Sequence, residues 1–121
     1  MVKFRFMDLE IWKESISLND QIMDIADVLE SSRHYRYAEQ LRGAGLSISN
    51  NIAEGSGSYS PRDFANFLNF SRRSVFEVVN ILIVINRRKY ISDELLDTHL
   101  SALDMLSRKI SNFRKRILNN N

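Results

Sequence analysis

Residues 60–88 read SPRDFANFLNFSRRSVFEVVNILIVINRR. Phe64, Phe67, Leu68, Ser71, Val75, Val78, Leu82 and Ile85 recur three or four positions apart over three heptads, the period of a helix that buries one face. The β-branched residues between Val75 and Ile85 would permit a strand, but the length and the continuous period outweigh that propensity. Ser60 fits an N-cap, Pro61 the first helical position and Asp63 the acidic third residue. A helix is therefore predicted over about 61–88.

Before this helix, the same spacing predicts a helix over about 33–54, with Tyr37, Ala38, Leu41, Ala44, Gly45, Ile48 and Ile52 facing inward. These residues are mostly small, so a neighbouring helix can approach closely. Gly43 and Gly45 each cost on the order of 1 kcal/mol against alanine inside a helix, and a packing contact is the expected return. Gly55 and Gly57 are expected to end this helix in the left-handed conformation. The first helix is predicted over about 8–30, with Asp8 as N-cap and Leu9, Trp12, Ile16, Ile22, Met23, Ala26 and Leu29 as its seam. Ile11, Leu18 and Ile25 form a second apolar stripe off that seam. A bundle has one interior, so this stripe is expected to meet another chain.

After it, a fourth helix is predicted over about 92–118, with Asp93 and Glu94 in its first turn and Leu96, His99, Leu103, Leu106, Ile110, Phe113 and Ile117 along its seam. The final Asn119–Asn121 should fray. Four long helices with short connections make an all-α, antiparallel, up-down-up-down four-helix bundle, one domain over residues 1–121. Only four glycines and one proline punctuate the chain, which fits few, long elements.

Composition narrows the chemistry. There is no cysteine, which excludes disulfides, thiolate metal sites and a cysteine nucleophile. The N-terminus lacks the apolar core of a signal peptide, and Val78–Ile85 is too short an apolar run to span a bilayer; a soluble, cytoplasmic protein without a membrane partner is expected. His34 and His99 are the only histidines. Neither follows a Glu by three, as the ligands of di-iron bundles do. His99 reads as a residue of the core or its boundary. No serine sits in a nucleophile elbow, and Gly55-Ser56-Gly57 has neither a strand before it nor a lysine closing it. The reading is a non-enzyme with no catalytic, cofactor-binding or metal residues.

Polar residues do fall in patterns. Gln40, Ser47, Asn51 and Glu54 share one stripe of the second helix, and Ser74 and Glu77 lie beside Phe70 and Ile81 on the third. Buried polar groups need partners. Asn51 and Glu54 are expected to pair with Ser74, Glu77 or backbone groups across these helices or across a subunit boundary. On that reading Glu54→Ala costs about 1–3 kcal/mol; a small-ligand site on the Asn51/Glu54 stripe is the alternative. Charge is also uneven. Residues 1–60 carry six Lys/Arg against nine Asp/Glu, and residues 61–121 eleven against six. Arg72, Arg87, Arg88, Lys89, Arg108, Lys109, Arg114, Lys115 and Arg116 are candidate phosphate contacts for RNA or DNA. The charge at the end of the last helix is expected to face solvent.

The strings QLRGAGLSISNNIAEGSG (40–57) and DFANFLNFSRRSVFEVVN (63–80) resemble the four-helix-bundle proteins of 23S ribosomal RNA intervening sequences. The accessory variability proteins of diversity-generating retroelements belong to that same group. The resemblance runs from LEIWKESI to RRKYIS and rests on Gln40, Leu41, Arg42, Ala44, Ser47, Ile48, Asn51, Ile52, Ala53, Glu54, Gly55 and Gly57, with Phe64, Phe67, Leu68, Ser74 and Glu77. Gly43, Ser49 and Arg73 depart from the pattern, which favours arginine, proline and glycine there. The resemblance implies a homopentamer of four-helix bundles, and by way of the retroelement relatives a protein partner and a basic surface for nucleic acid. The expected function is a homo-oligomeric scaffold or adaptor that binds RNA or DNA weakly. A protein-only interaction module is the alternative.

Overall fold

The computed structural model describes residues 1–119, and all the regular structure among them is helical. A 3-10 turn, Arg5–Asp8, precedes α1 (Glu10–Ser31), α2 (Tyr35–Ser56), α3 (Pro61–Arg87) and α4 (Asp93–Asn119). They form an antiparallel four-helix bundle in which α2 and α3 pack most extensively and α1 and α4 least. Of the expected C-terminal fraying, Asn119 closes α4, while residues 120 and 121 lie outside the described residues.

Local chemistry sets the ends. The Asp63 N–H donates to Ser60 Oγ at 3.1 Å with Pro61 next in line, and the Leu95 N–H donates to Ser92 Oγ at 3.1 Å; both satisfy amides that have no partner inside the helix. Asp8 is not the N-cap of α1. It closes the 3-10 turn and pairs with Lys3 at 2.7 Å, a hydrogen bond that holds its carboxyl below the usual carboxylate range.

The left-handed positions are not the glycines. Gly57 has φ −82°, and α2 runs through Gly55 to Ser56. Arg33 (φ 66°) and Lys89 (φ 65°) take that conformation instead. Each ends its helix in the same doubly hydrogen-bonded turn: the His34 N–H donates to the Leu29 carbonyl at 2.8 Å and the Tyr90 N–H to the Ile85 carbonyl at 2.9 Å. These bonds capture carbonyls that the last turn of a helix leaves open.

The core face of α1 coincides with the expected seam only in part: Ile22, Ala26 and Leu29 are buried as expected. Ile11, Ser15, Leu18, Ile22, Ile25 and Leu29 are buried within the chain, whereas Trp12, Ile16 and Met23 stand at its edge. The stripe expected to meet another chain, Ile11, Leu18 and Ile25, belongs to this core instead. Ser15 concealed it: its hydroxyl donates to the Trp12 carbonyl at 2.7 Å, so a polar residue sits at a core position with its hydrogen bond satisfied locally.

Glycine allows close packing at two places. A Cβ on Gly45 would collide with Asn19 Oδ1 on α1, and one on Gly55 would lie 2.6 Å from Phe67 Cβ on α3. Gly43, expected to make such a contact, has nothing within 4 Å.

Candidate functional site

Along the seam of α2 and α3, Ser74 Oγ lies 2.9 Å from Ser47 Oγ and 3.2 Å from the Phe70 carbonyl. Asn51 Nδ2 donates to the Ser47 carbonyl at 2.8 Å and to Ser47 Oγ at 3.0 Å. The buried Ser71 hydroxyl donates to the Ile48 carbonyl at 2.8 Å. The two cross-helix contacts, Ser47–Ser74 and Ser71–Ile48, fix the register. Ser71 stood in the apolar pattern and its bond was not foreseen, because a serine on a core stripe gives no sign of which carbonyl it will reach.

The expected pairing of Glu54 does not occur within the chain. Glu54 and Glu77 are exposed, as is Gln40, and none of them has a side-chain hydrogen bond among the described residues. An antiparallel pair leaves its carboxylates at the outer rim of the seam, where water solvates them. The expected cost for Glu54→Ala is revised accordingly: the melting temperature of the isolated chain should stay within what ±0.5 kcal/mol produces, checked by thermal denaturation of dilute protein. Truncating both Ser47 and Ser74 to alanine should reveal a coupling of about 0.5–1.5 kcal/mol in a double-mutant cycle. Arg42 works on the other side of α2, bonding Asp27 at 2.7 Å and Glu30 at 3.0 Å on α1; these partners, Asp27 first, raise its pKa.

The basic candidates separate into two ends and a middle. Of the last-helix group, Arg108 pairs with Asp104 at 3.1 Å and Lys109 with Glu14 at 2.5 Å. Arg114 is half-buried, its Nε donating to the Ala65 carbonyl at 3.0 Å, and so does not face solvent as expected. Arg116 lies over the Phe113 ring, and Lys115 is exposed. On α3, Arg72 packs over Phe76 with its Nε buried. Arg87, Arg88 and Lys89 stand at the opposite end of the bundle.

That opposite end carries more than those three. His34 and Tyr90 stack with centroids 3.7 Å apart and planes 17° from parallel, and Tyr37 meets Tyr90 edge-on at 6.1 Å. The stack brings the α1–α2 and α3–α4 connections together, so Arg33 and Arg36 join Arg87, Arg88 and Lys89, with Tyr35 exposed beside them. The phenols of Tyr90 and then Tyr37 raise the pKa of Arg88. Of the acids near this end, Glu30 pairs with Arg42, Asp93 accepts from Asn86 Nδ2 at 2.8 Å and keeps its charge, and Glu39 and Glu94 are exposed. Two helix N-termini and two C-termini meet here, so their dipoles largely offset. Arg33 and Arg36 were missed because they lie more than fifty residues from Arg87, and only tertiary packing makes one cluster of them.

Among the described residues no three His, Asp or Glu side chains converge to hold a metal ion, and no helix is long and apolar enough to cross a membrane.

This architecture has counterparts. A crystal structure of a protein with unknown function from the S23 ribosomal protein family of Bacteroides thetaiotaomicron superimposes with a TM-score of 0.82 at 22% identity, covering 87% of this chain and 98% of that one. No curated protein matches the chain. The family model for 23S rRNA-intervening sequence proteins matches residues 7–112, which take in the α2–α3 seam and both connections of the basic end, and the chain belongs to that family.

Proposed function

We propose that the protein is a non-enzymatic, homo-oligomeric scaffold that holds RNA or DNA by its phosphates. The observation that carries this reading is the clustering of Arg33, Arg36, Arg87, Arg88 and Lys89 around the stacked His34–Tyr90 pair. Cations supply sequence-independent attraction to phosphate, and exposed Tyr35 offers a face on which a base can stack. Assembly is supported by large apolar side chains left in solvent on α3: Phe70 is 44% exposed, Phe76 55% and Ile83 38%. With the stripe of Ile11, Leu18 and Ile25 claimed by the core, Phe76 and Ile83 on one flank of α3 and Phe70 on the other offer the surfaces on which other copies would settle. Five copies is the number implied by the resemblance to the intervening-sequence proteins. In a ring each basic end is repeated, so weak contacts add by multivalency.

Two measurements test this. Light scattering at micromolar concentration should give a multiple of the chain mass, and Phe70→Glu with Phe76→Glu should reduce it; a wild-type monomer would overturn the assembly. Fluorescence anisotropy at 50 mM salt should show binding to RNA or DNA with little sequence preference. With three to four phosphate contacts, affinity should fall on the order of 10²-fold by 200 mM. Replacing Arg87, Arg88 and Lys89 by glutamine should weaken binding at least tenfold, and the same change at Arg114, Lys115 and Arg116 much less. Equal losses, or no binding by the wild type, would remove the assignment.

A further inference from the structure

His34 sits at the centre of the basic end. Its ring stacks on Tyr90 with centroids 3.7 Å apart, and Arg88 lies against the Tyr90 phenol, a contact that raises the Arg88 pKa. Arg33 precedes His34 in the left-handed turn, and Arg36 follows it in the first turn of α2; both are exposed. Arg87 and Lys89 flank Arg88 on the facing connection. His34 is half-buried, yet neither of its ring nitrogens makes a hydrogen bond among the described residues, and neither is among the buried polar atoms. The stack therefore covers a face of the imidazole and leaves its polar edge open.

Imidazole is the side chain that ordinarily changes charge between pH 5 and pH 8. The chain has two, His34 and His99, and His99 is buried in α4 with its Nδ1 against the Leu95 carbonyl. Only His34 presents its nitrogens at the surface. The groups around it are guanidinium, ammonium, phenol and carboxylate, which ordinarily titrate outside that range. On α1, Glu30 is held by Arg42. On α2 stand Arg36, Tyr37 and the exposed Glu39; the α3–α4 connection brings Arg87, Arg88, Lys89 and Tyr90, and α4 begins with Asp93 and Glu94. The cations outnumber the acids that no cation pairs. A phosphate drawn in by those cations lies within reach of the imidazole edge, and a negative charge a few Å from an imidazole favours its protonated form.

Resting on the phosphate-binding reading above, we infer that His34 is a proton-bearing phosphate contact: nucleic acid bound at the basic end takes up a proton at the His34 imidazole, and its affinity rises as the pH falls. The complex then holds a proton that the free chain does not, so lowering the pH drives binding. The imidazolium adds a charge-assisted N–H donor to the cluster, and no rearrangement is needed because its edge already faces out. The stack on Tyr90 accommodates the charge, since the face of an aromatic ring attracts a cation.

The test is fluorescence anisotropy of the full chain with an oligouridine probe, whose phosphates and bases keep their charge between pH 6 and pH 8. The wild type should bind about three- to tenfold more tightly at pH 6 than at pH 8. The slope of log affinity against log salt should also steepen at pH 6 by about 0.7, the increment of one further phosphate contact to a single strand. His34→Phe, which keeps an aromatic ring against Tyr90, should bind equally at both pH values and match the wild type at pH 8. NMR of the wild type supplies a readout that needs no variant: the His34 ring resonances should titrate at higher pH with the probe bound than without it. No binding at either pH would remove the phosphate-binding reading, and this inference with it. Binding that ignores pH, a pH dependence that survives His34→Phe, or a His34 titration that the probe leaves in place would overturn the inference and leave that reading standing. Light scattering should give the same mass at both pH values; a mass that changes with pH would assign the effect to assembly and overturn the role of His34.

Discussion

Gly55→Ala and Gly43→Ala should move stability in opposite directions. Both glycines lie in α2, and on intrinsic propensity each replacement gains on the order of 1 kcal/mol. At Gly43 the new methyl group meets nothing within 4 Å, so the gain should appear in full as a higher melting temperature. At Gly55 the methyl group would lie 2.6 Å from Phe67 Cβ and 2.9 Å from Phe64 Cδ1. Phe67 Cβ is tied to the α3 backbone and cannot swing aside, so the two helices must separate. Overpacking of this kind costs about 1–3 kcal/mol, enough to outweigh the helical gain. Chemical denaturation of the two variants would settle it: equal stabilisation by both would mean that Gly55 is not where α2 and α3 pack closely.

Leu18→Ala should destabilise the isolated chain by about 2–3 kcal/mol, the lower part of the range for a buried leucine. Leu18 is buried among the side chains of the core, but it also borders the α1/α4 groove, where water can occupy part of the space left behind. For a domain of this size the melting temperature should drop on the order of 5–15 °C, independently of protein concentration. Had the stripe of Ile11, Leu18 and Ile25 been a surface for another chain, the variant would change the assembly and leave the dilute chain intact. Thermal scans over a hundredfold range of concentration distinguish the two. A concentration-dependent loss that vanishes on dilution would restore the stripe to an interface.

The four helices were legible because their evidence is local and redundant. A helix of α3's length repeats its apolar period many times, and Ser60, Pro61 and Asp63 mark its start through contacts spanning three residues. The bundle follows from four such amphipathic faces joined by short connections. The seam of α1 was legible only in part: Ile22, Ala26 and Leu29 were placed on it, while Ile11, Leu18 and Ile25 were assigned elsewhere. Ser15 and Asn19 interrupt the buried stripe while Trp12 and Met23 imitate an alternative, and a pattern of hydrophobicity cannot see that Ser15 bonds the Trp12 carbonyl. The glycines of α2 show the same limit. Composition marks them as places where something special is needed, yet Gly45 and Gly55 serve close packing, Gly43 serves none, and the left-handed turns fall to Arg33 and Lys89.

The sequence by itself therefore determined the number, length and antiparallel order of the helices, and the candidate polar residues of α2 and α3. Only the tertiary structure decided which of those residues meet. It joined Ser47, Asn51 and Ser74, left Glu54 and Glu77 in solvent, engaged much of the charge at the end of α4, and brought Arg33 and Arg36 beside Arg87, Arg88 and Lys89 through the His34–Tyr90 stack. The reason is physical: helical periodicity fixes the face a residue occupies to within part of a turn, whereas a hydrogen bond requires donor and acceptor to lie within about 3 Å, and that distance depends on how neighbouring helices rotate and slide against one another.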